Sequence, residues 1–363
     1  MEITIEKALE RTDLQFIDVR SPHEFREASI PGSLNVPLFD DAEHSRLGLL
    51  FREKGEIAAR RAGLQIAAPK LPHLVEQISG ACKGKIPLLY CQRGGLRSLS
   101  LYQILNLCGI TVFRLQNGYR GFRQYVVKRL KDYHLQSRLI VLHGLTGAGK
   151  TAVLKVLEEE GVPVIDLEGL AGHRGSVFGA VGLPEQQTQK EFDALLLQEL
   201  DRRRENPWIV VEGEGKRIGR VSLPPFLVEA LDEGFKILLT ASLETRVRRI
   251  VDSYIPAEPS PELLNQLKEA VNALRRRLGN KKVDFLLAEL DRKNFDRVAT
   301  SMCVDYYDHL YSDSRPECAR FDEQINAEDI NTAAGQIQSL LKNAETATIH
   351  PGTGPNNRVG YNI

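Results

Sequence analysis

Cysteine, methionine and tryptophan are scarce in this 363-residue chain, which has five cysteines, two methionines and one tryptophan. The cysteine number is odd and no pair has Cys-x-x-Cys spacing, which argues against a disulfide framework and against a zinc site. The same usage favours a reducing compartment. Because no apolar run approaches the length of a membrane span and the N-terminus has no signal-peptide pattern, we expect a cytoplasmic protein with no membrane partner.

Net charge is also lacking, because 48 basic and 48 acidic residues cancel. Any contact with nucleic acid must therefore come from local basic patches. The length exceeds that of one ordinary core, and a hydrophobic content of 42% with a charged content of 26% is typical of a soluble globular protein. We predict one domain at 1–135, a second at 136–342 and a disordered polar tail at 343–363.

The first candidate site is a loop that follows the apolar run Ile86–Tyr90 and precedes a predicted helix at 99–105. It begins at Cys91 and reaches Arg97, with two glycines between them. A strand end followed by glycines and a helix N-terminus directs backbone N–H groups and the helix dipole into one concavity. A thiol there should ionise easily, and the arginine adds a fixed charge. The alternative interpretation is an ordinary buried cysteine at a strand end.

The second candidate site lies between an apolar run at 139–143 and a helical sequence that starts at Ala152. It reads Gly-x-x-x-x-Gly-Lys-Thr in the strand–loop–helix context that a phosphate-binding loop requires. Such a loop turns its N–H groups onto a diphosphate, the lysine supplies charge, and the threonine is a candidate Mg²⁺ ligand. The predicted diphosphate-binding residues are Gly144, Thr146, Gly147, Gly149, Lys150 and Thr151. The motif does not identify whose phosphates bind.

Polar residues before and after the next apolar strand form a candidate second part of this site. They are Asp166, Glu168, His173, Arg174, Ser176, Glu212 and Glu214. The last two glutamates stand at the strand end, where a carboxylate that orients a metal ion belongs. The alternative is that they are strand-end acids facing solvent.

Basic residues cluster on predicted helices near residue 125 and within a basic helical region at 245–311. With tyrosines interleaved, such helices can hold a phosphate backbone and stack a base. The candidate RNA-binding residues are Arg123, Arg275, Arg276 and Arg277. For any single arginine, a solvated helix surface is the alternative.

Three motifs follow one another in the first 130 residues: Asp-Val-Arg-Ser-Pro-x-Glu-Phe from Asp18, Ile-Pro-Gly-Ser-x-Asn-Val-Pro from Ile30, and the loop at Cys91. In this order they resemble a rhodanese domain. The resemblance implies that Asp18 and Arg20 tie the strand end to the active-site side. The cysteine loop is one residue longer than in thiosulfate sulfurtransferases and resembles that of rhodanese-fold phosphatases. An insertion at 40–67 is predicted to form one or two amphipathic helices over the site.

The second half adds the phosphate-binding loop, Asp-Leu-Glu-x-x-Ala-x-His-Arg-Gly-Ser-x-Phe-Gly from Asp166, and Val-Glu-x-Glu-x-x-x-Ile-Gly from Val211. Together with the rhodanese motifs, these resemble the tRNA 2-selenouridine synthases over about residues 1–320. Gln92 departs from the family pattern, which has an aromatic residue after the cysteine. The resemblance implies an α/β fold, with an N-terminal rhodanese-like domain, a P-loop NTPase-like parallel-sheet domain and a helical C-terminal part.

The resemblance also implies a transferase that acts in two steps on the wobble 2-thiouridine of tRNA. Geranyl diphosphate alkylates the sulfur, and selenium from selenophosphate then replaces the geranylthio group. We assign Cys91 and Arg97 as catalytic residues and the phosphate-binding loop to the diphosphate. The selenophosphate cradle is assigned to Gln92, Arg93, Gly94, Gly95 and Leu96. The implied partners are the tRNA anticodon loop and an enzyme that supplies selenophosphate.

Two other classes of function fit parts of the same pattern. A rhodanese-fold phosphatase would use Cys91 and Arg97 on an aryl phosphate, which leaves the second domain without a role. An NTP-dependent RNA kinase or ATPase would use the phosphate-binding loop, with the rhodanese domain as an attached module. Dependence on ATP distinguishes this last class from the two-step transferase.

Overall fold

The computed structural model describes residues 1–183, 186–309 and 321–348, which contain two five-stranded parallel sheets covered by helices. This is the α/β architecture that the sequence predicted. The chain divides into two compact units. The first unit comprises Met1–His134, Gln186–Arg202 and Arg220–Pro224, and the second comprises the other described residues.

The sheet of the first unit has the strand order β1-β5-β4-β2-β3, which places β4 at its centre. Its strands are β1 (Glu2–Ile3), β2 (Leu14–Asp18), β3 (Leu34–Asn35), β4 (Ile86–Tyr90) and β5 (Phe113–Leu115). Its helices are α1 (Ile5–Leu9), α2 (Pro22–Glu27), α3 (Asp41–Ala67), α4 (Leu71–Ala81), α5 (Leu96–Leu107) and α6 (Gly118–Lys131), with a 3₁₀ turn at Ala68–Lys70. Strand β4 is apolar because a central parallel strand is buried on both faces.

The insertion predicted at 40–67 is helical, and it is not straight. Helix α3 begins with a capping box between Asp40 and Glu43, in which each side chain accepts the other residue's backbone N–H. At Gly55 the backbone leaves helical geometry, with a φ of 81°. The insertion therefore forms two helical segments joined by a kink at this glycine.

The sheet of the second unit has the order β12-β11-β6-β8-β7. Its strands are β6 (Arg138–His143), β7 (Val164–Ile165), β8 (Trp208–Glu212), β11 (Phe235–Thr240) and β12 (Glu323–Asn326), with a short β9 (Arg217–Ile218) outside it. The helices are α7 (Lys150–Glu159), α8 (Leu167–Ala171), α10 (Pro225–Glu233), α11 (Leu243–Tyr254), α12 (Pro261–Ala273), α13 (Arg275–Leu278), α14 (Asn280–Asp291), α15 (Phe295–Met302) and α16 (Ile330–Thr348), with a π-helical turn at Cys303–Tyr307.

Strand β6 lies between β8 and β11, at the point where the strand order reverses. In open parallel sheets, ligands bind beyond the carboxyl ends of the strands at this switch point. The loop that follows β6 is the predicted phosphate-binding loop, so the fold puts it at the expected position. Helix α16 extends six residues into the tail predicted to be disordered, and residues 349–363 lie outside the described residues.

Two segments from the second half of the sequence pack within the first unit: α9 (Gln189–Arg202) and β10 (Val221–Ser222). Helix α9 packs against α6, where Arg123 pairs with Asp193 at 2.6 Å and Arg129 with Asp201 at 2.7 Å. The compact units are therefore not contiguous in sequence. Within the described ranges, no helix has the length and apolar character needed to cross a membrane.

Candidate active site

Cys91 lies directly after β4, and backbone hydrogen bonds from the start of α6 fix its position. Its carbonyl accepts the backbone N–H of Tyr119, and the carbonyl of Gln92 accepts that of Arg120, both at 2.9 Å. The approach is so close that a Cβ on Gly118 would lie 2.0 Å from the Cys91 carbonyl oxygen. Since Gly118 also has a φ of 54°, glycine is required here. The Asn-Gly pair at the start of α6 thus positions the loop that begins at Cys91.

The cysteine side chain faces the beginning of α5. Its Sγ is 3.2 Å from the Oγ of Ser98, and the side chain is buried at 3% exposure. Within the described chain, no side chain caps α5 at Gly95. The first N–H groups of a helix have no intrahelical partner. Groups of this kind can bind an anion, so the start of α5 stays the candidate anion site beside the thiol.

Arg97 is already engaged by a residue of the Asp-Val-Arg-Ser-Pro-x-Glu-Phe motif. Its guanidinium makes two hydrogen bonds to the carboxylate of Glu24, the longer of them at 3.1 Å. Burial would raise the pKa of Glu24, but the hydrogen bond and charge of Arg97 outweigh it and lower this pKa. An anion bound in the cradle therefore competes with Glu24 for Arg97.

The ion pair of Asp18 and Arg20 lies behind the same loop. Both residues are buried, and the guanidinium also donates to Oε1 of Gln92 at 3.1 Å and lies 4.2 Å from the Tyr119 ring centre. Arg20 thus connects the end of β2 to the residue after Cys91, which is the tie that the resemblance implied. Of the other cradle residues, Arg93 and Leu96 are exposed.

In the second unit, the phosphate-binding loop is fixed by two arginines of α11. Arg246 donates from Nε to the carbonyl of Thr146 at 2.9 Å, and Arg249 donates to that of Ala148 at 3.0 Å. A Cβ on Gly147, whose φ is 81°, would lie 2.7 Å from the Arg246 carbonyl oxygen, so only glycine fits. Across the loop, Nζ of Lys150 donates to the Gly144 carbonyl at 3.1 Å.

A cleft of about 740 Å³ opens beside this loop. The predicted residues that line it are Thr146, Gly147, Gly149, Lys150, Thr151, Asp166, Glu168, His173, Arg174, Ser176 and Glu214. Glu212 lies beneath, at 1% exposure, where its Oε1 accepts the backbone N–H of Glu168 at 2.8 Å. The alternative of strand-end acids facing solvent is therefore wrong for Glu212, and burial raises its pKa well above the usual range.

Glu168 and Glu214 form a hydrogen-bonded carboxyl pair in the cleft, in the field of Lys150. Burial, followed by the charge of Glu214, raises the pKa of Glu168 to about 8, although Lys150 opposes this rise. Burial also raises the pKa of Glu214. The pair therefore retains a proton at neutral pH, which reduces the negative charge that an incoming diphosphate meets.

The glycine-rich segment after α8 supplies the opposite wall. The Arg174 guanidinium lies 4.5 Å from the ring centre of Tyr254 and donates to the Val181 carbonyl at 2.9 Å. The Ser176 hydroxyl is 3.3 Å from that of Tyr254. Nδ1 of His173 is buried with no hydrogen-bond partner among the described residues, and burial lowers the pKa of this histidine.

The cleft fits a metal ion that arrives with phosphate better than one held by protein alone. Among the described residues, no group of three or more histidine, cysteine, aspartate or glutamate side chains could hold a metal ion. Mg²⁺ is commonly bound by one or two protein oxygens together with substrate phosphates. Thr151 and the acids of the cleft could supply those oxygens, so the residues are compatible with Mg²⁺.

The candidate RNA-binding arginines differ in whether their guanidinium groups are already paired within the protein. Arg123 is neutralised by Asp193, and Arg275 pairs with Asp284 at 2.8 Å. Arg277 donates to the Tyr306 hydroxyl at 2.8 Å, and Arg276 is exposed. Within the cluster of three arginines, the geometry leaves Arg276 as the most available contact for a phosphate.

The sequence did not reveal what α11 does. Arg246 and Arg249 belong to the basic region at 245–311 that the sequence associates with RNA contact, but Arg246 is 4% exposed and is paired with Asp308 at 2.6 Å. The two arginines are three residues apart, which puts both on one face of the helix. This spacing was the only sign in the sequence that they could contact the same loop. Tyr254 was not singled out at all, although it lines the cleft.

Comparison with known proteins identifies both halves. A family profile described as the tRNA 2-selenouridine synthase AAA domain matches residues 137–342, and a rhodanese-like domain profile matches residues 4–125. A tRNA 2-selenouridine synthase of Verminephrobacter eiseniae is 31% identical over 87% of this chain and 93% of its own length. One from Cupriavidus pinatubonensis is 33% identical over 82% of this chain and 87% of its own.

Among solved structures, one similar chain is the N-terminal domain of a Clostridium difficile 630 protein described as ATP/GTP-binding. It is 33% identical and covers 35% of this chain and 99% of its own, with a TM-score of 0.34. The family rests instead on the profile over 137–342 and on the full-length relatives. The chain therefore belongs to the tRNA 2-selenouridine synthase family.

Proposed function

We propose that this protein is a transferase that converts the wobble 2-thiouridine of tRNA to 2-selenouridine in two steps. Geranylation by geranyl diphosphate comes first, and replacement of the geranylthio group by selenium from selenophosphate follows. The observation that carries the proposal is the pairing, in one chain, of a thiol beside an uncapped helix N-terminus with a lysine-bearing phosphate loop. Family membership makes the chain a tRNA-modifying enzyme, and the chemistry of these two sites supports the two-step reaction that we propose.

In the first step, the sulfur of the base attacks C1 of the geranyl chain. A carbon–sulfur bond forms, the carbon–oxygen bond breaks, the diphosphate leaves, and the base loses its N3 proton. Lys150 and the N–H groups at the start of α7 stabilise the charge that grows on the diphosphate. Thr151 would hold a Mg²⁺ ion on that diphosphate, which adds positive charge to the leaving group.

In the second step, a carbon–selenium bond forms at C2 of the base as the carbon–sulfur bond breaks, and geranylthiol leaves with a proton. Selenophosphate binds at the N-terminus of α5, where Arg97 and the loop amides meet its oxygens. Cys91 assists the release of selenium: its thiolate attacks phosphorus, the phosphorus–selenium bond breaks to free the selenide that attacks C2, and water then cleaves the sulfur–phosphorus bond to give inorganic phosphate. The target base lies in a single-stranded loop, so it can be extruded without opening a duplex.

One assay tests the whole proposal against its rivals. The purified protein is incubated with 2-thiouridine tRNA, geranyl diphosphate and selenophosphate, and the nucleosides are identified by mass. We expect 2-selenouridine without added ATP, with geranylated 2-thiouridine when selenophosphate is omitted. An absolute need for ATP, with phosphate release stimulated by RNA, would favour the kinase or ATPase instead.

The protonated carboxyl pair predicts a pH dependence of diphosphate binding. As pH rises through about 8, Glu168 loses its proton and the cleft gains a negative charge. Without divalent cations, affinity for geranyl diphosphate should therefore fall by about tenfold between pH 7 and pH 9. Repulsion between two unit charges about 4 Å apart costs about 1–4 kcal/mol. Titration calorimetry across this range measures it.

Glu168→Gln is the matched variant, because it keeps the shape and cannot ionise. The affinity of this variant for geranyl diphosphate should not change over the same pH range. Ionisation of the ligand itself is the same in both experiments, so it cannot account for a difference between the two proteins. An equal decline in both proteins would show that Glu168 does not set the charge of the cleft.

RNA binding should depend steeply on salt if the arginines after α12 contact phosphates. The log–log slope should be about −0.7 for each contacted phosphate of a single strand. Reversing the charge of Arg275, Arg276 and Arg277 together should flatten this slope, and Arg276→Glu alone should produce much of the change. An unaltered slope in the triple variant would put the RNA elsewhere, with the α6 helix around Arg123 as the next candidate.

A further inference from the structure

A second, apolar cavity adjoins the phosphate cleft. It is lined by side chains of α11, α12, α14 and α15, together with Phe178. Except for Thr146, Tyr254 and Tyr307, every lining residue is apolar. A cavity of this kind is the usual form of a binding site for an apolar ligand group.

The cavity and the cleft share a wall. Thr146, Ile250 and Tyr254 line both of them, so the cavity lies against the phosphate loop at Thr146. The wall is fixed because Arg246 and Arg249 tie α11 to the loop carbonyls. A ligand with a diphosphate on the loop can therefore place its other end in the cavity.

The two tyrosine hydroxyls and the Thr146 carbonyl at the cavity wall have hydrogen-bond partners within the protein. The Ser176 hydroxyl forms hydrogen bonds with the hydroxyls of Tyr254 and Tyr307. The Thr146 carbonyl accepts a hydrogen bond from Arg246. A nucleobase would bury hydrogen-bonding groups here without partners, which is costly. A hydrocarbon chain has no such groups and gains from the burial.

We propose that this cavity holds the hydrocarbon chain of a prenyl diphosphate whose diphosphate lies on the Lys150 loop. The proposal rests on the proposed geranyl transfer and specifies where the chain binds. At about 60 Å³ the enclosed space accepts about two water-sized groups. Since a methylene group is similar in size to a water molecule, the end of the terminal isoprene unit of a geranyl group fits inside. The first unit then lies along Ile250 and Tyr254, and C1 stays in the cleft.

Three ligands that share a diphosphate test the site by calorimetry: inorganic pyrophosphate, ADP and geranyl diphosphate. Each buried methylene is worth about 0.8 kcal/mol, close to fourfold in affinity. Geranyl diphosphate should therefore bind at least about tenfold more tightly than pyrophosphate, and ADP should gain nothing comparable. Tighter binding of ADP than of geranyl diphosphate would overturn the proposal in favour of a nucleotide site.

Ala299→Leu fills the cavity, because Ala299 lines it and is 6% exposed. This variant should lose most of the geranyl advantage while its affinity for pyrophosphate, which reports a folded loop, is retained. Ala273→Leu makes the same change at an exposed position of α12 and should behave as wild type. Unchanged geranyl diphosphate affinity in Ala299→Leu would overturn the assignment.

Met302→Ala is the opposite change and covers the case in which Ala299→Leu fails to fold. It enlarges the cavity, so affinity for farnesyl diphosphate relative to geranyl diphosphate should rise by about tenfold or more. An unaltered ratio contradicts the proposal. Should wild type bind neither pyrophosphate nor geranyl diphosphate, the proposed function itself fails. Should wild type geranylate tRNA while both variants keep wild-type affinities, only the cavity assignment fails.

Discussion

Cys91→Ser should abolish selenium transfer, with a loss of roughly 10³-fold or more, as is usual when a catalytic nucleophile is removed. The thiol stands next to the N-terminus of α5, and a thiol is a soft nucleophile that suits selenium chemistry. A serine hydroxyl in the same place ionises far less readily and is a harder nucleophile. Serine is nearly isosteric, and the backbone bonds from Tyr119 and Arg120 that hold the loop are unaffected, so the fold should persist.

The informative readout is the intermediate. If geranylation takes place at the phosphate loop, the variant should accumulate geranylated tRNA, which nucleoside mass analysis detects. Cys108→Ser is the control, because Cys108 is an exposed free cysteine at the far end of α5. Full selenation by Cys91→Ser would remove Cys91 from the mechanism, and loss of activity in both variants would indicate a general effect of cysteine replacement.

Both candidate loops could be predicted because their geometry is local. A strand, a glycine-bearing turn and a helix start are contiguous in sequence, so the strand before each loop and the helix after it could be predicted without knowledge of any tertiary contact. Gly118 could not be recognised in the same way. Its requirement comes from the carbonyl of Cys91, which is distant in sequence and meets it only after β4 and α6 pack.

The side-chain partners were the part that sequence could not supply. Arg246 and Arg249 looked like surface charge because a helix sequence does not reveal what its basic face meets, and here that face meets loop carbonyls. Likewise, the sequence could not decide whether Glu212 faces solvent, since its burial depends on the segment after β7 folding over it. The apolar cavity is assembled from four helices, so no single stretch carries its signature.

Lys150→Ala should slow geranylation by about 10²–10³-fold, the usual effect of losing one donor that stabilises developing charge. In the ligand-free loop, Nζ of Lys150 hydrogen-bonds to the Gly144 carbonyl, a contact that a diphosphate oxygen can replace. As the carbon–oxygen bond of geranyl diphosphate breaks, negative charge grows on the leaving diphosphate. Without Lys150, that charge faces the carboxyl pair of Glu168 and Glu214 with no compensating cation from this lysine.

The two half-reactions should respond differently to this change. Selenation of tRNA supplied already geranylated releases no diphosphate, so Lys150→Ala should affect it much less than geranylation. Lys155→Ala removes a lysine from the exposed side of the same helix and should leave both steps intact. The assignment fails if Lys150→Ala stops selenation while sparing geranylation, because the phosphate loop would then serve the second step. In that event Lys150 would act on selenophosphate, and Cys91 and Lys150 would have to share one reaction.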